Sequence, residues 1–119
     1  MGASSATLHE SQDRLDAATV DRHRAIVSLM EELEAVDWYD QRVAATGDVS
    51  LRAVLAHNRD EEKEHAAMIL EWLRRHDDAL DRMLRSYLFT DQPVTAIEQG
   101  GEAPPAPADG SLGIGDLRG

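Results

Sequence analysis

The 119 residues suffice for one small domain and a tail, and the core such a chain buries alone is modest, so self-association is a reasonable expectation. With 12 Lys plus Arg against 23 Asp plus Glu, the formal charge of -11 repels nucleic-acid backbones and draws cations toward the surface. The absence of cysteine excludes disulfides, thiolate metal sites and cysteine nucleophiles, so any metal site must be built from carboxylate and imidazole.

The opening stretch MGASSATLHESQDR has neither the basic nor the apolar region of a signal peptide, and no apolar run approaches the roughly 20 residues of a membrane span. A soluble cytoplasmic protein is the expectation, with no membrane and no nucleic-acid partner. Residues 1–12 are small and polar and are expected to be a disordered N-terminus.

From about Leu15 to Ala45 the chain has no Gly or Pro and is rich in Ala, Leu, Glu and Arg, which predicts a first helix. Gly47 is expected to close it by taking the left-handed conformation, with Asp48 or Ser50 capping the next helix. That second helix is predicted from about Leu51 to His76, and the short break before it favours an antiparallel hairpin. More helix comes after Asp77 and Asp78 and stops before Pro93, with a short last helix over Val94 to Gln99. The helical domain therefore spans residues 13–99, in an all-α fold. Residues 100–110 read as a flexible linker, because GGEAPPAPADG cannot bury enough apolar surface to fold.

The second helix contains Asp60-Glu61-Glu62-Lys63-Glu64-His65. An isolated Glu-x-x-His is more often a solvated charge run than a site. Helical geometry changes that balance. At about 100° per residue from Leu51, Leu55, Ile69 and Leu73 fall within about 40° on one side, and Val54 and Trp72 about 60° on the other. Glu62 and His65 lie inside this apolar stripe, as do Asn58 and His76, whereas Arg59, Lys63 and Arg74 point away. An unpaired charge in a buried stripe costs several kcal/mol, so Glu62 and His65 need a partner. Residues three apart stack one turn over the other and reach one cation. Glu61 with His65 is a rival pair, but Glu61 lies nearer the stripe's edge.

In the first helix Ala25, Leu29, Glu32, Val36, Tyr39 and Val43 recur at helical spacing, and Glu32 is the carboxylate among them. The alternative for Glu32 is a boundary residue whose stem packs while its head reaches solvent. Tyr39 is placed to hydrogen-bond a ligating carboxylate, although plain packing explains it equally. On another face Glu31, Glu34 and Trp38 follow an i, i+3, i+7 pattern that suits holding or guiding a cation, against the commoner alternative of solvated helix residues. His23 and His57 lack such support.

A di-iron carboxylate site in a four-helix bundle uses a Glu from each of two helices and a Glu-x-x-His from each of the other two. One hairpin supplies half, so if Glu32, Glu62 and His65 form a di-metal site, they imply a homodimer that completes a four-helix bundle with the metals on or beside its axis. Carboxylate and imidazole suit Fe(II), Mn(II) and Zn(II).

Taken together, RHRAIVSLMEELEAVDWYDQRV, LAHNRDEEKEHAAMILEWLRR, YLFT with TAIE, and the final SLGIGDLRG resemble the encapsulated ferritins, iron oxidases carried as cargo inside encapsulin nanocompartments. The resemblance implies an iron-oxidising centre at a two-subunit interface on Glu32, Glu62 and His65, with Trp38 and Tyr39 supporting it and Glu31 with Glu34 as an iron-uptake site. It implies a ring of five dimers, with iron storage delegated to the encapsulin shell. It also implies that residues 111–119 are a targeting peptide in which Leu112, Ile114 and Leu117 fill pockets while Gly113 and Gly115 let the backbone lie close. The competing expectations are a non-catalytic helical interaction module, an adaptor whose role is the tail, and a di-iron enzyme acting on peroxide or an organic substrate.

Overall fold

A computed structural model describes residues 6–100, and the expected targeting peptide and most of the expected linker lie outside them. The described residues are helical, with no strand among them. They fall into two compact units that divide after His76. A 3-10 turn at Gln12–Arg14 precedes the first unit's two long helices, α1 (Ala17–Ala45) and α2 (Val49–Arg75).

Side-chain caps set where both long helices begin. Asp16 accepts a hydrogen bond from the Thr19 N–H and Asp48 accepts one from the Leu51 N–H at 2.8 Å, each satisfying a backbone donor that the first helical turn leaves free. Of the two candidate caps, Asp48 is the one used, and Ser50 lies inside α2. Gly47 does not perform the role expected of it. Among the described residues Gly100 is the glycine with positive φ, at 120°, and α1 instead ends through an extended Thr46 (φ -80°, ψ 140°) whose N–H bonds Arg42 O. The Arg52 guanidinium donates to Thr46 O at 2.6 Å and to Val43 O at 3.4 Å, which supplies donors to carbonyls at the helix end without a left-handed residue.

α1 and α2 pack against each other along the hairpin. The core of this unit is small: Val20, Ala66 and Leu73 are its buried apolar residues, and no large side chain among the described residues is fully buried. Many large apolar groups stay exposed, including Ile26, Met30 and Leu33 on α1 and Leu51, Val54, Met68 and Trp72 on α2. In the second unit α3 (Asp78–Tyr87) is capped by Asp77 and packs with α4 (Val94–Glu98), where Ile97 is buried. Phe89, just past α3, has φ 60°. No described helix is long and apolar enough to cross a membrane.

Candidate metal centre

Glu32 sits near the middle of α1, where Ala25, Leu29, Val36, Tyr39 and Val43 are all half-buried against the hairpin while Glu31, Leu33 and Glu34 are exposed. The apolar periodicity therefore turns the Glu32 carboxylate inward, to α2. On α2 the same stripe, anchored by buried Ala66 and Leu73, carries Glu62 and His65 one turn apart. His65 Nδ1 lies 3.3 Å from Glu62 Oε1 and 3.5 Å from Glu32 Oε1. One ligand atom from each of the three residues lies within 4.8 Å of the other two, which is metal-ligand spacing.

The electrostatics of the three groups are those of a crowded anionic site. A hydrogen bond with Glu62, then burial, then the Glu62 charge push the Glu32 carboxyl above the usual range. The same hydrogen bond, helped by His65, holds Glu62 below it. The pair thus keeps one proton more tightly than a lone carboxyl would. His65 is raised by its hydrogen bond to Glu62 and by the Glu32 charge, against the opposing effect of desolvation. A divalent cation would relieve this crowding, since it offsets the negative charge of the two carboxylates. Glu32 and Glu62 keep about a quarter of their side-chain surface exposed and His65 keeps 46%, so the site is open along one side.

The rival Glu61–His65 pairing does not form. Glu61 instead faces His57, with Oε2 3.4 Å from Nε2, on the outer surface of α2. Glu31, Glu34 and Trp38 are exposed on a face of α1 separate from the three ligands, and Trp38 keeps 49% of its surface. Tyr39 is half-buried and carries the Arg42 guanidinium 5.7 Å from its ring centroid. Asn58 is half-buried, and His76 stacks on Trp72 at 3.9 Å with Nδ1 2.8 Å from Trp72 O.

Arg59 corrects the expectation of a residue pointing to solvent. Its side chain is 22% exposed and spans to α1, where Nη1 meets Asp40 at 3.0 Å while Nε meets Asp60 at 3.1 Å. The signal was its position at the margin of the apolar stripe, within reach of the neighbouring helix for so long a side chain. Lys63 does remain on the outer surface, near Asp60, whereas Arg74 is half-buried, at 27% side-chain exposure, beside Glu71.

Two packed helices that bring a glutamate from one and a Glu-x-x-His from the other to a single point are an arrangement used in ferritin-like carboxylate bundles. The sequence pattern of the EncFtn-like family matches residues 7–91, and the chain belongs to that family. It is 60% identical to the encapsulated ferritin-like protein of Rhodospirillum rubrum over 100% of this chain and 93% of that one. It is 51% identical to a ferritin-like protein of Thermotoga maritima over 92% and 96% of the two chains. Identity to the encapsulin nanocompartment cargo protein EncC of Myxococcus xanthus is 32%, over 77% and 80%. A crystal structure of a Nitrosomonas europaea protein is similar at TM-score 0.71 and 61% identity, covering 73% of this chain and 96% of that one.

Proposed function

We propose that this chain is a ferroxidase that oxidises Fe(II) to Fe(III) at a centre shared by two subunits, and that it works as cargo inside an encapsulin compartment. The observation that carries the reading is the convergence of Glu32, Glu62 and His65 ligand atoms within 4.8 Å of one another. The donor set fits iron, with anionic oxygen and neutral imidazole and no thiolate. The names of the Rhodospirillum and Myxococcus relatives support the compartment.

A second copy completes the ligand count. Two hairpins about a two-fold axis supply four glutamates and two histidines, the full set of a di-iron carboxylate bundle. The unpartnered apolar surface supports such pairing, since Val54 is 55% exposed, Met68 64% and Trp72 37%. Each Å² of such surface covered by a partner contributes about 25 cal/mol. Five such dimers in a ring are the assembly that the family resemblance implies.

Iron is the substrate, and each Fe(II) gives up one electron to dioxygen. The residues' work is to bind and to manage protons. Loading needs both carboxylates ionised and the His65 imidazole neutral, and the raised pKa values of Glu32 and His65 favour their protonated forms, so protons compete with the metal here. The carboxylates favour the higher charge of the product, and their changeable denticity follows its smaller radius. Glu31 and Glu34 raise the local iron concentration near the centre. Leu112, Gly113, Ile114, Gly115 and Leu117 dock the chain to the shell.

The test is aerobic Fe(II) oxidation by Glu62→Ala and by His65→Ala. Each is expected to lose at least tenfold in rate, and wild-type rates in both would sink the assignment. Native mass spectrometry during Fe(II) titration checks the pairing: two irons per dimer are expected, and a monomer under all iron loads would contradict it.

A further inference from the structure

A metal centre split between two helices needs those helices held in one relative position, and the hairpin core is poorly equipped to do it. Apolar contact is non-directional. The hairpin's buried apolar side chains among the described residues are few, Val20, Ala66 and Leu73, so apolar packing fixes how α2 lies on α1 at few points. The short connection and the Arg52 bonds to Thr46 O and Val43 O restrain the turn end, and the roll of α2 farther along is set by contacts beyond it. Roll matters. With side chains about 6 Å from a helix axis, a roll of about 30° moves a carboxylate by about 3 Å. That matches the whole 3.5 Å separation of Glu32 from His65.

We infer that the Asp40–Arg59 ion pair is a positioning device for the candidate metal centre, holding α2 in the register and roll that bring Glu62 and His65 to Glu32. The inference rests on the metal-centre reading of those three residues. Arg59 lies one turn before Glu62, so on a rigid helix any roll or slide at Arg59 is carried directly to both ligands. Asp40 lies about two turns beyond Glu32 on α1. The bond between them, Nη1 to Oδ1 at 3.0 Å, crosses from one helix to the other. Arg59 is suited to the task because its planar fork is held on two sides, by Asp40 and by Asp60 at 3.1 Å, which leaves the guanidinium few orientations. The Arg59 side chain is mostly covered, at 22% exposure, whereas the Asp40 carboxylate is 56% exposed, so the pair acts through its geometry more than through its strength. Polar contacts between packed helices set register where apolar ones are permissive.

The experiment titrates the full chain with Co(II) in place of Fe(II), read by the visible absorption of the bound ion, for wild type, Asp40→Asn, Asp40→Glu, Arg59→Lys and Glu62→Ala. Tm and the native mass spectrum are recorded for each. Asp40→Asn is expected to weaken Co(II) binding about five- to tenfold, with Tm within about 3 °C of wild type and the same oligomer distribution. Asp40→Glu, which keeps the carboxylate, stays within about twofold. Arg59→Lys, which keeps the charge but loses the fork, falls between them and serves if Asp40→Asn does not fold. Wild-type affinity in Asp40→Asn, or in Arg59→Lys where that variant stands in, overturns the proposal, as does an equal loss in Asp40→Asn and Asp40→Glu, or a loss matched by dissociation of the oligomer. Glu62→Ala separates the two readings: if it binds Co(II) like wild type, the metal centre itself is wrong, whereas if it alone loses binding, only the positioning role is.

Discussion

Glu32 Oε1 and His65 Nδ1 come from different helices and lie 3.5 Å apart, bridged on the α2 side by Glu62 Oε1 at 3.3 Å from the same nitrogen. The two carboxylates crowd each other, which raises Glu32, while both attract the His65 imidazole. For the apo protein, the crowding at Glu32 opposes stability at neutral pH.

That opposition is measurable at Glu32. Its folded pKa is raised, chiefly by the hydrogen bond with Glu62, so its contribution to stability is full below the ordinary value of 4.5 and is lost as pH rises through the folded value. Replacing it by Gln removes the loss. In the absence of metal at pH 7, Glu32→Gln is expected to melt about 2–4 °C above wild type, with the gain vanishing near pH 4. A variant that melts below wild type at pH 7 contradicts the crowding.

Glu71 gives the opposite sign. Hydrogen bonds from Arg74 and Arg75 lower its pKa to about 2, so its stabilisation is present above pH 4.5 and lost as pH falls toward about 2. The group is 40% exposed, which limits the effect to about 0.5 kcal/mol. Thermal melts of Glu71→Gln should fall about 1–2 °C below wild type at pH 7 and coincide with it near pH 2.

Glu34 is exposed and stands apart from the three ligands. Glu34→Ala is expected to slow Fe(II) uptake about two- to fivefold in stopped-flow traces while leaving the number of tightly bound metals unchanged. Loss of metal from the Glu32, Glu62 and His65 site would show that the two regions act as one.

Removing residues 111–119 takes away the proposed docking segment and nothing of the hairpin. Fe(II) oxidation should be retained, and co-purification with a co-expressed encapsulin shell should be lost. Encapsulation at the wild-type level would move the docking function elsewhere in the chain.

Much of this was legible in the sequence because helices repeat on a fixed angle. The apolar spacing through Leu29, Val36 and Val43 named the inward face of α1, and Glu32 had to share it. Boundaries were less legible. Asp48 and Ser50 both suit a cap, and only the path of the chain leaving α1 selects Asp48. Gly47 suggested a left-handed stop, but a guanidinium from the next helix supplied the donors that made one unnecessary.

The sequence by itself determined the two long helices, their inward faces and the three residues able to hold a metal, since periodicity is a local property that each helix expresses alone. Only the tertiary structure decided which carboxylate meets His65 across the hairpin, that Glu61 turns away to His57, and that Arg59 reaches Asp40. Those outcomes depend on how one helix lies against another. Such distances are set by packing and long side chains rather than by spacing along the chain.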